Sequence, residues 1–297
     1  MACCWRAVGR SRRLPQAISL RGGTLQRALC SSALENGSEL QVTRLEGDKA
    51  GVVRLELNRP KANALSRSLV SGLLSALAEL EADLSVRAVV LSSRVPGVFC
   101  AGADLKERAG MPTEEVGPFV ASLRGLMSRV ARFPAPIIAA VEGAAFGGGL
   151  ELMLACDLRV AGAGATMGLT ETGLGIIPGA GGTQRLPRLI GVAAAKEMVF
   201  LGQRVGATRA LELGLVNRSV GQGGALAEAL DMAGTISTKA PLAVRLAKAA
   251  IDRGLQADIG TGLAVEEAMY QQVVQTKDRL EGLRAFAEKR APCFTGE

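Results

Sequence analysis

The stretch 139–185 constrains this chain more than any other. An apolar run, IIAAV, leads through EGAAF into Gly147, Gly148 and Gly149, and then into LELMLAC, whose single charge is Glu151. Such a run bounded by glycines predicts a buried strand, and the segment after it a buried helix. Three adjacent glycines let the backbone pass close to a ligand and keep side chains away from its N–H groups. A helix starting there aims its positive end at whatever the loop holds. A second carboxylate, Glu171, follows in another largely apolar setting, ahead of a second glycine cluster, PGAGG. Taken alone, the pattern also fits a tight turn before a packed helix.

What the chain lacks narrows its chemistry. None of its 297 residues is histidine, which removes Ser-His-Asp and Cys-His nucleophile systems and histidine-ligated metals. The six cysteines include no CxxC pair, so neither a zinc ribbon nor a thioredoxin-type site is expected, and no metal site is assigned. Neither glycine-rich turn has GxGxxG spacing and no GxxxxGK[ST] occurs, which disfavours a dinucleotide or P-loop fold. Carboxylates, backbone dipoles or a group borrowed from the substrate remain.

The net charge of +7 suggests nucleic acid until it is located. Residues 1–33 hold six arginines and no acid; without them 29 basic residues face 28 acidic ones. An acid-free leader with Arg, Ser and scattered aliphatic residues reads as a mitochondrial transit peptide, with a plain basic tail as the alternative. No apolar run of membrane-spanning length follows, and the expected location is the mitochondrial matrix.

Along the rest of the chain, GVVRLELNRP alternates as a strand. Ser66 caps a helix with Leu69, Val70, Leu73, Leu74, Leu77 and Leu80 on one face. VRAVVLSS is apolar enough for a sheet covered on both sides. A helical turn starts near Asp104, and residues 113–133 read as a helix interrupted near Pro118 and halted by Pro134 and Pro136. IIAAVEG and DLRVAG are further strands, and three helical stretches close the chain, at 225–238, 241–253 and 262–289. Alternating strand and helix predict an α/β core.

Two glycine-containing turns, CAGAD and FGGGLE, each follow a buried strand and precede a helix start. Neighbouring strands would bring them together, and two inward-facing N–H groups there would form a hole for a developing oxyanion. Two nearby carboxylates could share the proton work, provided burial raises at least one pKa. The residues equally admit Glu151 and Glu171 as surface groups on turns.

The segments VFCAGADLKE, AAVEGAAFGGGLELMLACDLRVA, MGLTETGLGIIPGAGGTQRLPRLIG and KDRLEGLRAFAEKR together resemble the enoyl-CoA hydratase (crotonase) superfamily, from about residue 40 to the C-terminus. The resemblance implies an α/β crotonase (ClpP-like) fold of stacked ββα units with a C-terminal helical trimerisation region. It divides the chain into a leader at 1–33, a crotonase core at 34–235 and a helical region at 236–297, assembled as a homotrimer or homohexamer. It implies that Ala103 and Gly148 supply the oxyanion-hole N–H groups, that Glu151 activates water, and that Glu171 delivers a proton to the α-carbon. The substrate would be an acyl-CoA and the reaction hydration, with coenzyme A entering as part of the substrate and no separate cofactor. Isomerisation, decarboxylation and a noncatalytic RNA-binding module are the alternatives. Ala101 and Lys106 would contact the CoA, and Phe286 and Lys289 that of a neighbouring subunit, although Lys106, Phe286 and Lys289 equally fit plain surface roles. PGAGG is read as structural. In an RNA-binding relative within the mitochondrial branch, the helix at 66–83 is lined with lysines. Here it carries only Arg67 as a base, followed by Glu79, Glu81 and Asp83, so RNA binding is not expected.

Overall fold

The computed structural model describes residues 39–297, so the transit-peptide expectation for 1–33 lies outside the described residues. The chain starts as an antiparallel pair, β1 (Leu40–Arg44) and β2 (Val52–Leu57). The first helix, α1 (Arg67–Ala82), begins where Ser66 Oγ accepts from the Leu69 N–H, a cap worth about 1 kcal/mol. It buries Leu69, Val70, Leu73, Leu77 and Leu80 together with Ala76, while Leu74 lies at the edge of the stripe and is half-buried.

One step then recurs three times. The first copy is β3 (Ala88–Ser93) and β4 (Val98–Cys100), followed by α2 (Leu105–Ala109) and α3 (Thr113–Ala131). The second is β5 (Ile137–Val141), β6 (Ala144–Phe146) and α4 (Gly148–Ala155). The third is β7 (Leu158–Gly162) and β8 (Thr166–Gly168), then a 3₁₀ turn at Glu171–Leu174 and α5 (Gly182–Ile190). After it come α6 (Val192–Phe200), β9 (Val205–Gly206), α7 (Ala207–Glu212), β10 (Arg218–Val220) and α8 (Ala225–Ser237). The first strand of each step enters a six-stranded sheet of order β1-β2-β3-β5-β7-β10, parallel except for β1. The second strand enters a four-stranded sheet of order β4-β6-β8-β9, in which β4, β6 and β8 are parallel.

The larger sheet is covered on both faces at its centre, which explains why β5 and most of β3 are apolar runs. Val89 and Leu91 point into the main core, whereas Ala88 and Val90 join Val52, Ile138 and Val160 on the opposite face. That face is closed by Ala225, Ala229 and Ala233 of α8, whose spacing of four lines up small side chains on one side of the helix. Each large aliphatic side chain so buried stabilises the fold by about 1.5–3 kcal/mol.

Two expectations need correction. The helix α3 runs through Pro118 without a break. Pro118 and Glu114 are both exposed, so the carbonyl that loses its bond to the proline nitrogen faces water rather than the core. The segment expected as one helix at 262–289 is two, α10 (Ile259–Val274) and α11 (Lys277–Ala287), which follow α9 (Pro241–Gly254). At the break Thr276 is extended and its Oγ1 accepts from the Arg279 N–H, which starts a new helix instead of continuing the old one. Among the described residues no helix is long and apolar enough to cross a membrane.

Candidate active site

Because β4, β6 and β8 are adjacent and parallel, they end on the same side of their sheet, and the loops that follow them meet there. Ligands in open α/β sheets collect at such carboxyl ends. The three loops line one cavity of about 630 Å³, bringing together Ala101, Ala103, Gly148, Glu151 and Glu171. The facing wall is mostly apolar, built from Val116, Val120 and Leu123 of α3, from Leu174 at the end of the 3₁₀ turn and from Ile176 and Ile177 after it, with Arg108 and Arg124 also lining the cavity.

Ala103 is bracketed by two bonds to Leu65, whose N–H donates to Gly102 O at 2.8 Å and whose carbonyl accepts from the Asp104 N–H at 3.2 Å. In extended backbone successive groups alternate sides, so the Ala103 N–H is turned away from Leu65. Gly148 is the first residue of α4, where helix geometry leaves the N–H without a partner in its own helix. The two lie side by side: a Cβ added to Gly148 would stand 3.5 Å from Ala103 N. The two loops are held together by close packing, since a Cβ on Gly149 would stand 1.9 Å from Cys100 O at the end of β4.

Every residue of α4 is buried, including Glu151, which is 3 % exposed. A carboxylate in that position costs several kcal/mol unless it is hydrogen-bonded. Its Oε1 accepts from the N–H groups of Ala180, at 2.8 Å, and Gly182, at 2.7 Å. PGAGG is therefore more than a turn: it supplies two donors at the start of α5, where a negative charge is favoured. Burial pushes the Glu151 pKa up, while the Gly182 and Ala180 N–H groups and the charges of Arg185 and Arg124 pull it back.

Glu171 opens the 3₁₀ turn and is 9 % exposed. Its Oε1 lies beside the backbone of Gly147, where an added Cβ would stand 3.1 Å away. Its Oε2 is buried with no hydrogen-bond partner among the described residues. Burial first, and the nearby Glu151 charge in addition, raise its pKa from 4.5 to about 7. The arrangement thus offers a buried carboxyl group with two backbone donors on one oxygen, whose pKa is raised on balance, and a second close to half-protonated at neutral pH, beside two open N–H donors. Two carboxyl groups raised by burial, one of them held by two backbone donors and the other by none, suit paired base and acid roles.

The remaining candidates separate. Ala101 lines the cavity, but the exposed Lys106 does not; its neighbours Leu105 and Arg108 take that place. Phe286, 86 % exposed on α11, and the exposed Lys289 stand outside the cavity wall of this chain. Among the described residues, the C-terminal helices contribute none to it. Instead α9 covers the end of α4, where Lys248 pairs with Asp157 at 2.7 Å. Sequence reasoning missed Ala180 and Gly182 as partners of Glu151, although glycines directly ahead of a helix start were the available signal.

A family model described as Enoyl-CoA hydratase/isomerase matches residues 47–297. Enoyl-CoA hydratase domain-containing protein 2, mitochondrial, of Mus musculus is 52% identical over 297 residues, spanning 98% of this chain and 99% of the relative. Methylglutaconyl-CoA hydratase, mitochondrial, of Rattus norvegicus is 48% identical over 301 residues, spanning 100% of this chain and 93% of the relative. The crystal structure of an enoyl-CoA hydratase from Bacillus anthracis superposes with a TM-score of 0.85 at 48% identity, covering 88% of this chain and 100% of that one.

Proposed function

The chain belongs to the enoyl-CoA hydratase/isomerase family and has the crotonase fold, and from that premise we propose that it is a mitochondrial enoyl-CoA hydratase. The observation that carries the reading is the convergence of Glu151 and Glu171, both buried, on one cavity beside the N–H groups of Ala103 and Gly148. The thioester carbonyl of an α,β-unsaturated acyl-CoA would accept from those two donors, each worth roughly 3 kcal/mol to a developing oxyanion. Glu151 takes a proton from a water held between the carboxylates as its oxygen bonds to the β-carbon. The π electrons move onto the thioester oxygen as an enolate, and protonated Glu171 gives its proton to the α-carbon. One water is consumed and no redox partner is needed. Coenzyme A arrives with the substrate, and Lys106, Phe286 and Lys289 are left to contact it in an assembled homotrimer or homohexamer.

Isomerisation and decarboxylation require only one acid–base group, and the retention of two favours hydration. The rival noncatalytic RNA-binding module gains nothing from α1, whose one base, Arg67, is paired with Glu115 and Glu107. The deciding experiment offers the purified protein a panel of enoyl-CoA thioesters, including crotonyl- and methylglutaconyl-CoA, and weighs the products. Gain of one water on at least one thioester is the expected result. Products of unchanged mass, or products that have lost carbon dioxide, would replace hydration by the corresponding alternative.

A further inference from the structure

We propose that Arg124 is a positioning residue that sets the Glu151 carboxylate by gripping the peptide unit between Gly179 and Ala180. The inference rests on the hydratase reading for its kinetic consequences but not for its geometry. Arg124 Nε and Nη2 both donate to Gly179 O, at 3.2 and 3.0 Å. That carbonyl and the Ala180 N–H belong to one planar trans unit and point in opposite directions. Holding the oxygen on the α3 side therefore aims the N–H at Glu151 Oε1, where it donates at 2.8 Å.

The same loop is fixed twice more. Gly179 is packed on α3 so closely that an added Cβ would stand 2.7 Å from Val120 Cγ1, one helical turn before Arg124. Arg185 Nη1 donates to Ala180 O at 3.1 Å, fixing the next peptide unit, ahead of the Gly182 N–H that gives Glu151 its second bond at 2.7 Å. A segment as glycine-rich as PGAGG can rotate its peptide units at little cost, so an outside grip decides which way the donors face. Both donors fall on Oε1, which leaves Oε2 as the oxygen turned to a water. The helix that forms the apolar wall of the cavity thus also orients the carboxylate opposite it.

Three variants of the full chain test this: Arg124→Met, which keeps the length without a donor, Arg124→Gln, which donates without charge, and Arg124→Lys, which donates with charge. Arg124→Met is expected to lower kcat by about 10- to 100-fold, the order that misplacement of a reacting group costs. KM should stay within about threefold, because the lost interaction acts on the transition state rather than on bound substrate. The acidic limb of the rate profile should move to higher pH, and Gln and Lys should each restore part of the rate. Amide hydrogen exchange at Ala180 and Gly182, measured without substrate, should quicken in Arg124→Met and recover in the other two. Unchanged kcat with unchanged exchange would overturn the proposal. So would a loss confined to KM, which makes Arg124 a substrate contact, or full rescue by Lys with none by Gln, which leaves charge alone. If the wild-type protein hydrates no thioester, the hydratase reading fails by itself, and the exchange measurement still decides whether the grip exists.

Discussion

Glu151 and Glu171 face the same cavity from surroundings that treat a carboxylate in opposite ways. Glu151 sits in the first turn of a wholly buried helix, and two backbone N–H groups converge on one of its oxygens. Glu171 sits on a 3₁₀ turn with one buried oxygen lacking a partner among the described residues. Desolvation acts on both, but the donors offset it at Glu151, whereas at Glu171 the neighbouring charge adds to it. Environment, not residue type, gives the two glutamates different partners and different causes for their raised pKa values. The proposed assignment of base and acid follows from that difference.

The strongest attempt to break the contrast is to remove each carboxylate in turn. Glu151→Gln and Glu171→Gln are each expected to lower kcat by about 10²–10⁴-fold, the usual worth of a positioned acid or base. They should differ in the pH profile of any remaining activity. A limb near 7 belongs to Glu171 and should vanish only with Glu171→Gln. Equal behaviour of the two variants would erase the distinction drawn here.

A smaller change should sharpen it from one side. Gly182→Ala places a Cβ 3.0 Å from Glu151 Oε1, Leu169 Cδ1 and Pro178 Cβ, so the carboxylate and its neighbours must give way by a few tenths of an ångström. The expected loss in kcat is on the order of 10-fold or more, with the limb near 7 kept, because Glu171 is untouched. Steady-state kinetics across pH checks it, and a vanished limb would show that the two environments are not independent.

The smallest effect is on stability. In the folded chain Glu171 keeps its proton up to about 7, whereas in the unfolded chain it loses it near the ordinary 4.5. The folded state binds more protons between those values, so this group lowers stability as the pH rises through that window. From about pH 5 to about pH 8 the wild-type Tm should fall, relative to that of Glu171→Gln, by on the order of a few degrees. Parallel Tm curves for the two proteins would mean that Glu171 ionises normally.

Much of this was legible in the residues, and the illegible parts share a cause. The GGG turn, the apolar helix with one glutamate and the strands around it follow from local pattern, because glycine and hydrophobic period act within a few residues. The caps are uneven: Ser66 stands out ahead of a clear leucine stripe, whereas Thr276 is hidden inside a continuous helical pattern. The strands β4, β6 and β8 have three residues each, too few to show an alternation, yet their parallel order is what gathers the site. PGAGG was readable as a turn but not as the partner of Glu151. That contact joins backbone N–H groups to a side chain about thirty residues earlier, and the glycines mark an open helix start without saying which group it binds. Arg124 was missed likewise, since a lone arginine on an amphipathic helix looks like solvated surface.

The seating of Gly149 against Cys100 O has a consequence for how such a protein can diversify. Main chain rests on main chain there, so the separation of the two open N–H groups is beyond the reach of side-chain replacement nearby. The apolar wall of Val116, Leu174 and Ile177 is made instead of residues whose side chains differ in size and can be exchanged. Under the proposed chemistry, acyl preference and carbonyl activation are then inherited separately. Selection, in nature or in a library, can rewrite the wall that sorts substrates while the gauge that grips the thioester stays at one setting.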